Sequence, residues 1–279
     1  MSNCWLEGKT AIVTGASGGM GAGIAATLIK KHGCTVIGIA RSEPKMLKFI
    51  DELGEEYAKQ FSYKLFDVSK RENWEEFAEE LNANGTKVDI LINNAGILPK
   101  FKRFDRYSYE EIEQAMNINF YSAVYSIKTL LPMLLESDTP AIINIDSAAA
   151  LMTLAGTSVY SASKTALRSL TEALRSEFSG KIFVGLVCPG FTKTDIFRNQ
   201  AEEGNDKGQK MIDMVSTDCD KMVRLIMHGI EHKHHLQVHG MDSFFMSTFN
   251  RLMPVHGSML FSAVMKMANA DIFKEVFDD

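Results

Sequence analysis

The 279-residue sequence predicts one α/β domain over residues 1–279: a doubly wound parallel sheet of about seven strands, helices on both faces, and a C-terminal helical extension. Two observations carry this. Short β-branched, apolar runs alternate with longer stretches of helical periodicity, the pattern of strand–helix units that build a covered parallel sheet. A glycine-rich turn, Thr14-Gly15-Ala16-Ser17-Gly18-Gly19-Met20-Gly21, follows the first apolar run and opens the first helical stretch. Strands are expected at 10–14, 35–40, 61–66, 88–93, 141–146 and 181–187, with a seventh at 236–239. Helices are expected near 19–31, 44–59, 71–83, 109–135, 157–178 and 216–231, each opening close to a Gly, Ser, Pro or Asp that caps or starts a helix.

Composition narrows the function. With 46% hydrophobic and 23% charged residues the chain reads as an ordinary globular protein, and a net charge of −5 lacks the excess of Lys and Arg that nucleic acid requires. Cys4, Cys34, Cys188 and Cys219 form no Cys-x-x-Cys pair, so neither a disulfide framework nor a thiolate zinc site is expected, and a reducing cytoplasm is. The first residues do not read as a signal peptide, and no apolar run approaches the roughly 20 residues that span a bilayer, so no stable membrane anchor is expected.

The glycine turn is where chemistry begins. Missing side chains let the backbone turn tightly and approach a pyrophosphate, while the open N–H groups and positive dipole end of the helix face the anion. The spacing of Thr14, Gly15, Gly19 and Gly21 resembles the dinucleotide fingerprint of the classical short-chain dehydrogenase/reductase family, whose fold is Rossmann-type. Further signposts follow in order. Asp67-Val68 resembles the pair that meets the adenine ring, Asn93-Asn94-Ala95-Gly96 the family's structural run, and Pro189-Gly190 with Thr192 and Thr194 the segment beside the nicotinamide carboxamide. The resemblance covers about Lys9 to Thr194, and it implies cofactor contacts from Gly15, Ser17, Gly19, Met20, Gly21, Asp67, Val68, Asn94, Ala95, Gly96, Pro189, Gly190, Thr192 and Thr194.

The second strand selects the nucleotide. A carboxylate at its end would accept from a free ribose 2′-OH and repel a 2′-phosphate. Here it ends Ile39-Ala40-Arg41-Ser42, and the planar fork of Arg41, with Ser42 and Ser17 adding hydrogen bonds, favours NADP(H), NAD(H) being the alternative.

Tyr160 and Lys164, four apart, share one face of a helical segment. A phenol with an unperturbed pKa of about 10 transfers protons poorly near neutrality, and a neighbouring ammonium is expected to lower it. Ser147 ends the fifth strand, where open parallel sheets present residues to a ligand, and is expected to polarise a carbonyl oxygen beside Tyr160. Both Tyr160 and Lys164 also count among the expected cofactor contacts. By resemblance Asn119 joins them by ordering a water beside Lys164, with Asn117 as its rival. Asp146 stands where the family has a small polar residue; strand alternation turns it away from Ser147, and no role is assigned to it.

Other clusters carry less. His232, His234, His235 and His239 straddle a helix end and a strand whose side chains diverge, so no metal is expected. Gly-x-Ser-x-Gly is absent around Ser147, which removes the hydrolase reading. A substrate loop is expected over about 191–215, polar and turn-rich from Gln200 to Lys210. The extension over 241–279, rich in Met and Phe, suits core or subunit interface, with a pocket for a bulky apolar substrate, or a lipid contact, as alternatives.

The resulting expectation is an NADP(H)-dependent alcohol dehydrogenase or carbonyl reductase acting on a small-molecule secondary alcohol or ketone. By resemblance of the Arg41-Ser42 ending it is hydroxysteroid dehydrogenase-like, and a homodimer or homotetramer. The alternatives are a fatty-acyl or polyketide-type ketoreductase and a non-catalytic NADP(H)-sensing protein.

Overall fold

In a computed structural model of the chain, residues 4–197, 200, 214, 216–268 and 273–277 are described. Seven strands, β1 (Thr10–Thr14), β2 (Thr35–Ala40), β3 (Phe61–Leu65), β4 (Ile90–Asn93), β5 (Ala141–Ile145), β6 (Phe183–Pro189) and β7 (Leu236–His239), form one all-parallel sheet in the order β3-β2-β1-β4-β5-β6-β7. The chain leaves β3 and returns to the centre at β4. The sequence order therefore reverses between β1 and β4, and a crevice opens at the carboxyl ends of those strands.

Helices cover both faces because the central strands alternate apolar side chains to each. Ala11, Val13, Ile90, Ile92 and Ile143 meet α1 (Gly19–His32) and α2 (Glu43–Leu53), while Ile12, Leu91 and Ile142 meet α4 (Arg71–Ala83) and α6 (Ser122–Leu135). The short α3 (Glu55–Ala58) follows α2, and α5 (Tyr109–Met116) leads into α6. Beyond these, α7 (Ser158–Glu177) packs on the α6 face, and α8 (Cys219–Glu231) lies on the α1 face through Met222, Ile226 and Ile230.

Two expected helices divide. Gly54, at φ 89°, separates α2 from α3 within the segment expected to run from 44 to 59, a conformation that other residues rarely adopt. The segment from 109 to 135 widens into a π-helical turn at Asn117–Tyr121, between α5 and α6. Strand β6 continues to Pro189, two residues beyond expectation, while β5 stops at Ile145. The polar segment after residue 200 lies outside the described residues. Gln200 itself is buried, its Oε1 accepting the Phe101 N–H at 2.9 Å.

The extension folds back over the crevice as α9 (Met241–Leu252), α10 (Gly257–Ala268) and α11 (Lys274–Phe277). Its Met246, Met265, Phe273 and Val276 join Leu98, Phe101, Leu154 and Phe197 in a third apolar cluster. Among the described residues no helix is long and apolar enough to cross a membrane.

Candidate active site

At the crevice, β1 runs into the glycine turn with Gly15 at φ 68° and Gly19 at φ 54°. A Cβ on Gly21 would lie 2.3 Å from Gly15 O, and one on Gly15 would lie 2.8 Å from Asn94 Nδ2, so both positions exclude a side chain. Gly18 precedes α1 without a side-chain cap, which leaves the helix's first N–H groups to face an anion. This cradle fits a dinucleotide pyrophosphate. Asn94 and Ala95 hold the turn in place, each donating its N–H to Thr14 Oγ1 at 2.9 Å.

The loops after β2 and β3 carry the residues expected at the adenosine end. Asp67 accepts the Ser69 N–H at 3.0 Å and the Ser69 hydroxyl at 2.8 Å. Burial alone would raise its carboxyl, but these bonds and the positive charges of Arg41 and Lys70 hold it below the usual carboxylate range. Arg41, directly after β2, is exposed and Ser42 precedes α2, while Val68 is buried.

Ser147, just beyond β5, accepts the Ala149 N–H at 3.1 Å and lines the same cleft as the Tyr160 phenol. Tyr160 and Lys164 both project from α7 and are buried. Lys164 Nζ donates to Ile145 O at 2.9 Å. The π-helical turn delivers Asn119: its Nδ2 donates to Ile97 O and to Ser163 Oγ, each at 3.0 Å, and its Oδ1 accepts the Ile97 N–H at 2.8 Å. Gly96 packs closely beside it, since a Cβ there would lie 3.2 Å from Asn119 Oδ1 and 3.7 Å from Lys164 Nζ. The structure thus brings Asn119, Lys164, Tyr160 and Ser147 into one neighbourhood. Asn117, at the start of the same turn, is not part of these bonds.

The electrostatics differ from expectation. Burial pushes the Tyr160 phenol up to about 12, opposed by the Ser147 hydrogen bond and reinforced by the charge of Asp146. The expected downward pull from Lys164 is not among the influences on the phenol, and its ammonium is directed to Ile145 O. Asp146 is itself buried, at 3% exposure, with its carboxyl raised by burial and opposed chiefly by Lys164. Alternation turns it from Ser147; its Oδ2 lies 4.0 Å from Cys188 Sγ and its Oδ1 has no hydrogen-bond partner. A charged residue directly after a buried central strand was the available signal, since burial of an unpaired carboxylate is costly.

A cleft of about 890 Å³, including its open mouth, begins over Ser147, Tyr160 and Lys164 and extends between apolar walls. Met20, Asn94, Gly96, Pro189, Gly190, Thr192 and Thr194, all expected cofactor contacts, line it. Met246, Met265 and Phe273 of the extension close the opposite side, whereas Phe244, Phe245, Met259 and Met267 of the same segment are exposed. The extension also supplies Asp242, which sequence reasoning did not single out. Its Oδ2 accepts the Phe191 N–H at 2.6 Å, bracing the Pro189-Gly190 segment, and burial raises its carboxyl.

The four named histidines do not gather into one site. His235 Nδ1 meets Val184 O at 2.9 Å, and His239 faces Gln237 at 2.8 Å. Among the described residues the group with ligand-like spacing is instead His228, Glu231 and His232, where Glu231 already pairs with Lys31 at 2.7 Å and His32 at 3.0 Å.

Comparison with known proteins agrees with this geometry. The family model for short chain dehydrogenases matches residues 9–205. Ketoacyl reductase HetN of Nostoc sp. is 35% identical over 187 residues, 67% of this chain and 64% of that protein, so the chain spans less than two thirds of this relative. The 11-beta-hydroxysteroid dehydrogenase-like 2 of Arabidopsis thaliana is 34% identical over 233 residues, 81% of this chain and 71% of that protein. A short chain dehydrogenase/reductase from Burkholderia phymatum, solved in complex with NAD, shares the fold with a TM-score of 0.77 at 22% identity, over 93% of this chain and 97% of that one. With its glycine turn, its Ser147, Tyr160 and Lys164 at one crevice and these matches, the chain belongs to the short-chain dehydrogenase/reductase family.

Proposed function

We propose that the chain is an NADP(H)-dependent oxidoreductase that moves a hydride between nicotinamide and the carbon of a bulky, apolar secondary alcohol or ketone. The observation that carries this is the placement of Ser147 and Tyr160 at the base of an apolar cleft, beside the turn that fits a dinucleotide. The bound nicotinamide supplies the hydride; the protein supplies position, polarisation and a proton. Ser147 donates to the carbonyl oxygen, and Tyr160 delivers a proton to the same atom as charge develops there. A phenol held near 12 suits the donor role better than the acceptor role at neutral pH. Lys164 and Asn119 form the polar path behind Tyr160.

Arg41 supports NADP(H). It stands at the end of β2 where a carboxylate would repel a 2′-phosphate, and its exposed side chain is free to reach that group. The walls supplied by Phe101, Leu154, Phe197, Met246 and Met265 support a large apolar substrate such as a hydroxysteroid. By family resemblance the proposal includes a cytoplasmic homodimer or homotetramer, which light scattering and fractionation read directly.

The test is oxidation of NADPH and of NADH against a panel of steroid, alkyl and acyl-thioester ketones. We expect turnover of bulky apolar ketones with NADPH preferred. Turnover confined to acyl thioesters would move the reading to a fatty-acyl ketoreductase; tight NADPH binding with no turnover would make the chain a nucleotide sensor.

A further inference from the structure

The turn from α8 into β7 lies at the amino end of the sheet, opposite the crevice, and gathers side chains that the proposed reaction does not use. His228, Glu231 and His232 occupy positions i, i+3 and i+4 over the last turn and cap of α8, so they share one face. One nitrogen of each histidine and one oxygen of the carboxylate lie within 4.8 Å of one another. The His228 and His232 rings are 4.2 Å apart between centroids, and the His234 ring stands 6.2 Å and 5.9 Å from them. The group differs from the four histidines weighed in the sequence, because His228 and Glu231 take the places of His235 and His239.

The surroundings prepare these side chains for a cation. His232 Nδ1 lies 2.8 Å from His228 O; a carbonyl only accepts, so Nδ1 carries the hydrogen and the lone pair of the neutral ring is on Nε2. Lys31 Nζ and His32 Nε2 both meet Glu231 Oε1, which leaves Oε2 for a ligand bond. Among the described residues Lys233, at φ 53°, is the one residue other than glycine with positive φ, and its left-handed step lets the His234 N–H donate to Gly229 O at 2.8 Å. That step turns His234 back toward the helix end, while the Lys233 ammonium lies over the Trp5 ring, 4.8 Å from its centroid. The carboxyl end of a helix itself favours positive charge. Zinc bonds imidazole and carboxylate at about 2.0–2.2 Å, which sets tetrahedral ligand atoms about 3.4 Å apart. Rotation of the exposed His228 and His232 rings covers the difference.

We propose that His228, His232 and Glu231, joined by His234, bind a divalent transition-metal ion of the zinc class, and that the ion clamps the α8–β7 turn to α1 through Glu231. Imidazoles with one carboxylate select that class over Mg2+ and Ca2+, which take oxygen ligands. The site is structural, at the other end of the sheet from Tyr160, and its ion stabilises the chain by binding only the folded form.

The experiment titrates Zn2+ by calorimetry into the full, tag-free, chelator-treated chain. It is repeated for His228→Ala, His232→Ala, the double variant, and His256→Ala, an exposed histidine outside the group. Wild type and His256→Ala are expected to bind one ion per chain. Each single variant should bind at least about tenfold more weakly, the scale on which even the outer partners of a metal site act, and the double variant should lose the site. Zn2+ should raise the melting temperature of wild type but not of the double variant, and Mg2+ should raise neither. Co2+ should give a d–d spectrum without a thiolate charge-transfer band, which separates this site from the cysteines. Equal Zn2+ binding by wild type and the double variant would overturn the proposal. So would a thiolate band, or no saturable Zn2+ binding by wild type.

Discussion

Thr14 and Asn94 hold each other twice: the Thr14 hydroxyl accepts the Asn94 N–H at 2.9 Å, and Asn94 Nδ2 donates to Thr14 O at 2.9 Å. The same hydroxyl takes the Ala95 N–H at 2.9 Å, so one side chain ties the end of β1 to the end of β4 at the point where the strand order reverses. Thr14→Val keeps the shape but leaves two donors without an acceptor. Stability is expected to fall by about 1–3 kcal/mol, with a weaker Kd for NADPH, read by urea denaturation and fluorescence titration. Unchanged values for both would show that this tie is dispensable.

Arg41 is the residue on which nucleotide choice turns. Arg41→Ala is expected to weaken NADPH by roughly 10–100-fold, the worth of a charge-assisted hydrogen bond to phosphate, and to change NADH by less than about threefold. Equal losses for both nucleotides would place Arg41 outside the 2′-phosphate contact.

Gly190 leaves no room for a side chain. A Cβ there would lie 2.0 Å from Asp242 Oδ1, so Gly190→Ala must displace the Asp242 carboxyl. We expect a loss of about 1–3 kcal/mol and lower kcat, because the displaced Asp242 also holds the Phe191 N–H. Thermal melting and steady-state kinetics check this together.

Glu231 joins α8 to α1 through Lys31 and His32. Burial pushes its carboxyl up, but those two partners override burial and hold it below the ordinary glutamate value. A carboxylate whose folded value is depressed stabilises above its unfolded value, and that contribution is lost as pH falls through the folded value. Glu231→Gln should therefore cost on the order of 1 kcal/mol at neutral pH, and the gap to wild type should close as denaturation is repeated toward about pH 3. A gap independent of pH would point to packing rather than charge.

Much of the fold was legible because its signals are local. In the Thr14–Gly21 turn the positive φ of Gly15 and Gly19 and the approach of Gly21 to Gly15 O are local demands for glycine, and the seventh strand, Leu236–His239, appears at its expected bounds. Ser147, Tyr160 and Lys164 were legible for a related reason: a strand end and one helix face suffice to bring them together. What sequence hid depends on contacts between distant segments. The helical period at Asn117–Tyr121 does not reveal the wide turn that aims Asn119 at Ile97. Asp146 looked idle because alternation says which side of a strand a residue takes, not how deeply the fold buries it there. Asp242, fifty-one residues after Phe191, could be matched to its backbone only in three dimensions.

The central claim is that hydride passes from nicotinamide to a carbonyl carbon while Tyr160 supplies the proton. Transfer of deuterium from 4-deuterated NADPH to the carbonyl carbon of an apolar ketone, followed by mass spectrometry for wild type and Tyr160→Phe, tests it directly. Wild type should yield singly deuterated alcohol. Tyr160→Phe should lose roughly 10²–10⁴-fold in rate while its Kd for NADPH changes less than about threefold. Label transfer by Tyr160→Phe at the wild-type rate would contradict the account.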